Sequence, residues 1–96
     1  RDIHLIYCVP TQEEAIGVET LRAAAARNPR FSFEVVVTTR DGRLTAERLI
    51  GAVPFAIRQA DLWFCGPTGL KDGILKGLKA QGQTPRRVRF EQFEFA

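Results

Sequence analysis

The run Ile3-His4-Leu5-Ile6-Tyr7-Cys8-Val9 constrains this chain more than any other feature. It is β-rich and almost unbroken in apolarity, which suits a parallel strand covered on both faces rather than an alternating, half-wet one. Pro10 stops it. Neither this run nor any other in the 96 residues approaches the ~20 apolar residues that a membrane-spanning helix needs. A buried parallel strand requires crossover connections, so helices must follow it.

The sequence supplies them. Thr11-Gln12-Glu13-Glu14 matches a capping box, in which a hydroxyl and a carboxylate three residues on each satisfy a helix-end N–H. Ala15, Val18, Leu21 and Ala25 follow at helical spacing, and Asn28-Pro29 closes the segment. Phe31, Phe33, Val35 and Val37 alternate with Ser32 and Glu34, which predicts a strand with one wetter face or an edge position. Thr39-Arg40-Asp41-Gly42 is its turn. A shorter helix is expected from Thr45 through Leu49 and Ile50 toward Pro54, then a short buried strand at Asp61-Leu62-Trp63-Phe64-Cys65, broken by Gly66-Pro67-Thr68-Gly69.

From Leu70 a helix places Leu70, Ile74, Leu75 and Leu78 inward and Lys71, Lys76 and Lys79 outward, ending near Gly82. Gly69, Gly73 and Gly77 fall four apart on one of its faces and predict close packing on the sheet. Val88 to Phe95 forms the last strand. Strands alternating with helices give a single α/β domain over residues 1–96, a doubly wound, mostly parallel sheet with helices on both faces.

Composition narrows the function less. With 45% apolar and 26% charged residues the chain is globular, and fourteen Lys+Arg against eleven Asp+Glu leave +3. Six cations between Lys71 and Arg89 face only Asp72, a local excess that could meet an anion, but no nucleic-acid-binding signature accompanies it. A solvated helix face explains it. Cys8 and Cys65 form no CxxC, and with His4 as the sole histidine there are too few ligands for a metal centre. Unframed cysteines suggest a reducing, cytoplasmic compartment. Arg1-Asp2 leads straight into a strand without a start Met or signal peptide, so the chain reads as part of something longer.

In an open parallel sheet, ligands bind beyond the carboxyl ends of the strands. Three segments there are unusual: Val9-Pro10-Thr11, Thr38-Thr39-Arg40 and Cys65-Gly66-Pro67-Thr68-Gly69. The last lacks side chains at its glycines where a helix begins, a place an anionic group can occupy. Thr39-Arg40 offers a hydroxyl and a guanidinium fork suited to a phosphate monoester. Each segment alone also suits an ordinary turn. His4, isolated from other catalytic residue types, reads as a satisfied core residue.

Together these segments, with a terminal Glu91-Gln92-Phe93, resemble the nicotinamide-binding half of the ferredoxin-NADP reductase superfamily, and within it the ferric reductase and respiratory-burst oxidase branch. The resemblance spans essentially the whole chain, and Asp61-Leu62-Trp63-Phe64-Cys65-Gly66-Pro67 is its most specific string. It implies that Cys65-Gly66-Pro67 lies beside the nicotinamide and pyrophosphate, with Cys65 and Glu91 as catalytic positions. It implies further that Thr39-Arg40 contacts the adenosine 2′-phosphate of NADPH, that Pro10-Thr11 lies along the adenosine, and that Phe93 sits near nicotinamide and flavin. Arg43 would add positive potential at the turn, whereas Asp41 could pair with Arg40 and hold it off the ligand.

Members of this superfamily pass hydride from NADPH or NADH to FAD and electrons onward. Here the flavin-binding domain and the first, central strand of a 3-2-1-4-5 sheet lie outside the sequence. FAD is therefore expected in the parent protein and not in this segment, and the parent could be membrane-bound with this part on its cytoplasmic side. The sheet must either pair Ile3–Val9 directly with Leu62–Cys65 or share strands with a second copy in a homodimer. Two rival readings stay open. Trp63-Phe64-Cys65-Gly66-Pro67-Thr68 also looks like a thioredoxin-type motif with its second cysteine replaced, and the domain could be a non-catalytic interaction module.

Overall fold

A computed structural model describes residues 2–42, 44–66 and 68–92. Its strands are β1 (Asp2–Val9), β2 (Phe31–Val37), β3 (Ala60–Gly66) and β4 (Arg87–Gln92). Its helices are α1 (Val18–Arg27), the single turn α2 (Thr38–Asp41), α3 (Ala46–Ala52) and α4 (Thr68–Ala80), with 3-10 turns at Gln12–Glu14 and Ile57–Gln59. The strands form one all-parallel sheet in the order β2-β1-β3-β4. This is the doubly wound α/β architecture expected from the alternation of patterns.

β1 is central and paired on both sides. Ile3–Val9 runs opposite Phe31–Val37, and Asp2–Tyr7 runs opposite Ala60–Cys65. Of the two ways to complete the sheet, direct pairing is the one adopted. The unbroken apolarity of β1 now has its cause. Ile6 and Cys8 enter one core with Val36, Leu62 and Phe64, covered by Leu49 and Val53 around α3 and by Ile74 and Leu78 of α4. Tyr7 and Val9 enter a smaller core with Val37, covered by Ala15 and by Leu21 of α1. Successive residues of one strand thus feed opposite layers.

His4 is only 2% exposed, and both ring nitrogens are used. Nδ1 lies 2.6 Å from Ser32 Oγ and Nε2 lies 2.9 Å from Glu34 Oε1, both partners reaching across from β2. A serine hydroxyl either donates or accepts, so the ring is satisfied with or without its second proton. His4 is a core residue, as its isolation implied.

Three expectations need correction. The first helix does not run on from Thr11: the capping-box residues close a 3-10 turn, with the Ala15 N–H donating to the Gln12 carbonyl at 3.1 Å. Gly17, at φ 80°, then turns the chain, and its carbonyl accepts the first α1 bond from Leu21 N–H at 3.1 Å. The second correction is that Gly77 packs on α3 and not on the sheet, since a Cβ there would stand 2.9 Å from Ala46 Cβ. Gly69 and Gly73 face open space and line a cavity of about 310 Å³ with Leu44, Thr45 and Glu47. Lastly, Lys71 does not point simply outward, because its Nζ lies 4.9 Å from the centre of the Phe90 ring.

Helix ends otherwise follow the sequence. Thr45 Oγ1 caps α3 by accepting from Arg48 N–H at 3.2 Å. Beyond α4, Gly82 takes φ 68°, with Gln83 N–H on the Leu78 carbonyl at 2.8 Å and Gly82 N–H on the Lys79 carbonyl at 3.1 Å. That pair of bonds is a Schellman closure, which requires the left-handed glycine. β4 is seen through Gln92, and the expected continuation to Phe95 lies outside the described residues. Among those residues, no helix is long and apolar enough to cross a membrane.

Candidate functional site

All four strands are parallel, so their carboxyl ends line one edge of the sheet. Two corners form along it. At the first, the ends of β1 and β2 are tied by side chains. Thr38 Oγ1 donates to the Val9 carbonyl at 3.4 Å, and Thr39 Oγ1 donates to the Pro10 carbonyl at 2.7 Å. Pro10, Thr39 and Arg40, placed apart in sequence, thereby become neighbours, with Thr11 exposed beside them.

Arg40 is held at all three of its nitrogens. Nε donates to Asp41 Oδ1 at 2.7 Å, Nη2 to Asp41 Oδ2 at 3.0 Å, and Nη1 to Gln12 Oε1 at 3.1 Å. Asp41 Oδ2 also accepts from the Val37 N–H at 2.9 Å, and the Asp41 carbonyl accepts from Arg48 Nη1 at 3.1 Å. The Arg40 guanidinium, aided by the Val37 N–H, holds the Asp41 carboxyl down to about 2, and Asp41 in turn raises Arg40. Arg40 itself remains 60% exposed. Arg43 lies outside the described residues.

The second corner joins β1, β3 and β4. Gly66 has φ 154°, and a Cβ on it would stand 2.9 Å from Cys8 Cβ and 3.2 Å from the Cys8 carbonyl oxygen. Only glycine allows the strands to meet so closely there. Cys65 lies between Tyr7 on β1 and Glu91 on β4 by register. Burial pushes the Cys8 thiol up to about 12, with Glu34 and Cys65 adding to the effect. Cys65 is raised too, first by burial and then by the Glu91 carboxylate. Cys65 and Glu91 border a cavity of about 200 Å³ whose wall includes Leu5, Trp63 and Arg89.

Of the expected site residues, the fold brings Cys65, Gly66 and Glu91 together at one corner and Pro10, Thr11, Thr39 and Arg40 at the other. β1 separates the corners by about 10 Å, two strand spacings. Pro67 and Phe93 lie outside the described residues. Sequence reasoning missed Gln12, which had been assigned to a helix cap, and Arg89, whose guanidinium lies 5.8 Å from the Trp63 ring centre. Alternation along β4 puts Arg89 on the same face as Glu91, the one signal that could have found it.

No family model matches the chain. It is similar to the toluate 1,2-dioxygenase electron transfer component of Pseudomonas putida, at 27% identity over 95 residues. The match covers 95% of this chain and 28% of that protein, so the chain spans little more than a quarter of its relative's length.

Proposed function

We propose that this chain is the nicotinamide-nucleotide-binding part of a flavin-dependent oxidoreductase of ferric-reductase-like type. The observation that carries the reading is the meeting of the strand-end motifs on one sheet edge, an apolar thiol corner beside a polar, cationic one. The likeness to an electron transfer component supports a redox role. The string Asp61-Leu62-Trp63-Phe64-Cys65-Gly66-Pro67 with Val9-Pro10-Thr11 is the reason for preferring the ferric-reductase-like branch.

The residues fit a dinucleotide. Thr39, fixed on Pro10, and Arg40 stand where adenosine and a phosphate would lie. Gly66 leaves the β1–β3 junction bare of a side chain, and Cys65, whose thiol is pushed further toward its neutral form by burial and by the Glu91 carboxylate, offers an uncharged surface to a nicotinamide ring. Glu91 places a carboxylate one strand away. When bound, the nucleotide supplies the hydride; the chain's part is to bind and orient it. FAD belongs to a partner flavin-binding domain of the same longer protein on the cytoplasmic side, and neither FAD nor nucleic acid is a ligand of this segment.

The test is a titration of the chain with NADPH and NADH followed by amide chemical shifts. Perturbations at Thr39 and Arg40 together with Cys65 and Glu91 are expected, without nucleotide oxidation. Silence at both corners with every nicotinamide nucleotide would sink the reading and favour an interaction module. The thioredoxin-like reading needs a lowered thiol pKa, and Cys65 is shifted the other way.

A further inference from the structure

We propose that Asp41 sets nucleotide selectivity at the β1–β2 corner, by occupying the Arg40 guanidinium with its own carboxylate and so competing with a ribose 2′-phosphate. The inference rests on the dinucleotide reading above and adds its specificity determinant. A phosphate monoester binds arginine through two parallel N–H···O bonds, the pattern the Asp41 carboxylate already makes at 2.7 and 3.0 Å. The remaining nitrogen, Nη1, donates to Gln12. A phosphate therefore finds the Nε–Nη2 fork occupied and is left only the second N–H of each Nη.

Asp41 is well placed to compete. Its Oδ2 is anchored by the Val37 N–H at 2.9 Å, so the carboxylate is oriented by the backbone as well as by Arg40. Its negative charge also repels an incoming phosphate. A nucleotide without the 2′-phosphate meets neither cost. The natural turn therefore discriminates only weakly between NADPH and NADH, and selectivity for the phosphorylated nucleotide is latent in Arg40.

The discriminating variant is Asp41→Asn, which retains an oxygen for the Val37 N–H and removes the charge. Titrations use 2′,5′-ADP, 5′-AMP and inorganic phosphate, followed by the Arg40 Nε–H resonance and by backbone amides. Asp41→Asn should tighten 2′,5′-ADP about twofold to fivefold and leave 5′-AMP unchanged, the size expected for releasing an exposed ion pair. Gln12→Ala, which frees one donor only, should act in the same direction and less.

Equal tightening of both nucleotides, or none in Asp41→Asn, would overturn the inference while leaving the dinucleotide reading intact. If neither nucleotide binds either protein, the dinucleotide reading falls and phosphate alone decides. A phosphate-dependent Arg40 Nε–H shift in Asp41→Asn but not in the natural protein still supports competition by Asp41, and no difference between the two overturns it.

Discussion

The two corners of the carboxyl edge are built in opposite ways. The β1–β2 corner is held by polar side chains: Thr39 on the Pro10 carbonyl, Asp41 on the Val37 N–H, Arg40 between Asp41 and Gln12. The β1–β3 corner is held by the absence of a side chain, with Gly66 against Cys8 and two desolvated thiols beside it. One corner carries charge that remains in water, where ion pairs exchange readily with other anions. The other holds its two thiols neutral, since burial penalises a thiolate, and keeps its charges, Arg89 and Glu91, at the cavity border. On the dinucleotide reading proposed above, the difference would put the phosphate end of the ligand at the first corner and the uncharged ring end at the second.

The comparison breaks most severely at Gly66. Gly66→Ala forces a Cβ onto the Cys8 side chain and carbonyl at a backbone angle that favours glycine. A loss of about 2–4 kcal/mol is expected from the overpacking and strain together, read as a fall in the urea midpoint. Gly42→Ala, at φ 73° but with open space around it, should cost less, so equal losses would show that close approach is not what holds the second corner.

Alkali should act on the same corner. The Cys8 thiol ionises near 9.0 when unfolded and near 12 when folded. Below about pH 9 both states keep the proton and stability is unaffected; between 9 and 12 the unfolded chain releases it first, so stability falls as pH rises. Denaturation midpoints at pH 8, 9.5 and 11 measure this, with Cys8→Ala flattening the slope. At pH 8 a disulfide reagent should leave Cys8 untouched in the folded protein, and rapid modification would contradict the desolvated corner.

How much of this was legible follows from what each corner is made of. The strands and the Thr45 and Gly82 helix boundaries were legible because periodicity and capping are local. The closing of β1 on β3 was legible as one of two alternatives, since a central strand cannot be left unpaired. Thr11 misled because a capping box specifies bonds that a 3-10 turn also makes, and the decision belonged to Gly17 further along the chain. Gly77 misled because four-residue spacing defines a helix face without saying what that face meets; α3 meets it through Ala46. Asp41 was legible as a rival for Arg40 by adjacency. Gln12 was not, because its approach depends on how two loops 28 residues apart are brought together.

A smaller effect is expected at the polar corner. Thr39→Val removes the 2.7 Å bond to the Pro10 carbonyl while keeping the side-chain shape, and a loss of about 0.5–1.5 kcal/mol is expected for one exposed hydrogen bond. The consequence for function should exceed the consequence for stability, because the bond fixes Arg40's loop to β1. Weaker dinucleotide binding at a nearly unchanged urea midpoint is the expected pattern, and a large stability loss with unaltered binding would reverse the roles given to the two corners.

The smallest effect is a titration. Asp41 ionises near 3.8 in a free chain and near 2 here, so its contribution is complete above about pH 4 and is lost as pH falls through 2. The carboxyl carbon of Asp41 should show a midpoint near 2 by chemical shift, and Arg40→Gln should move it upward toward the ordinary value. Because Val37 N–H remains a donor to Asp41 after that substitution, the return should be incomplete. A full return would show that Arg40 alone orients the carboxylate. An unshifted midpoint in the natural protein would show that the pair is open in solution, leaving Arg40 free for a phosphate and the first corner far more selective for NADPH than its ion pair implies.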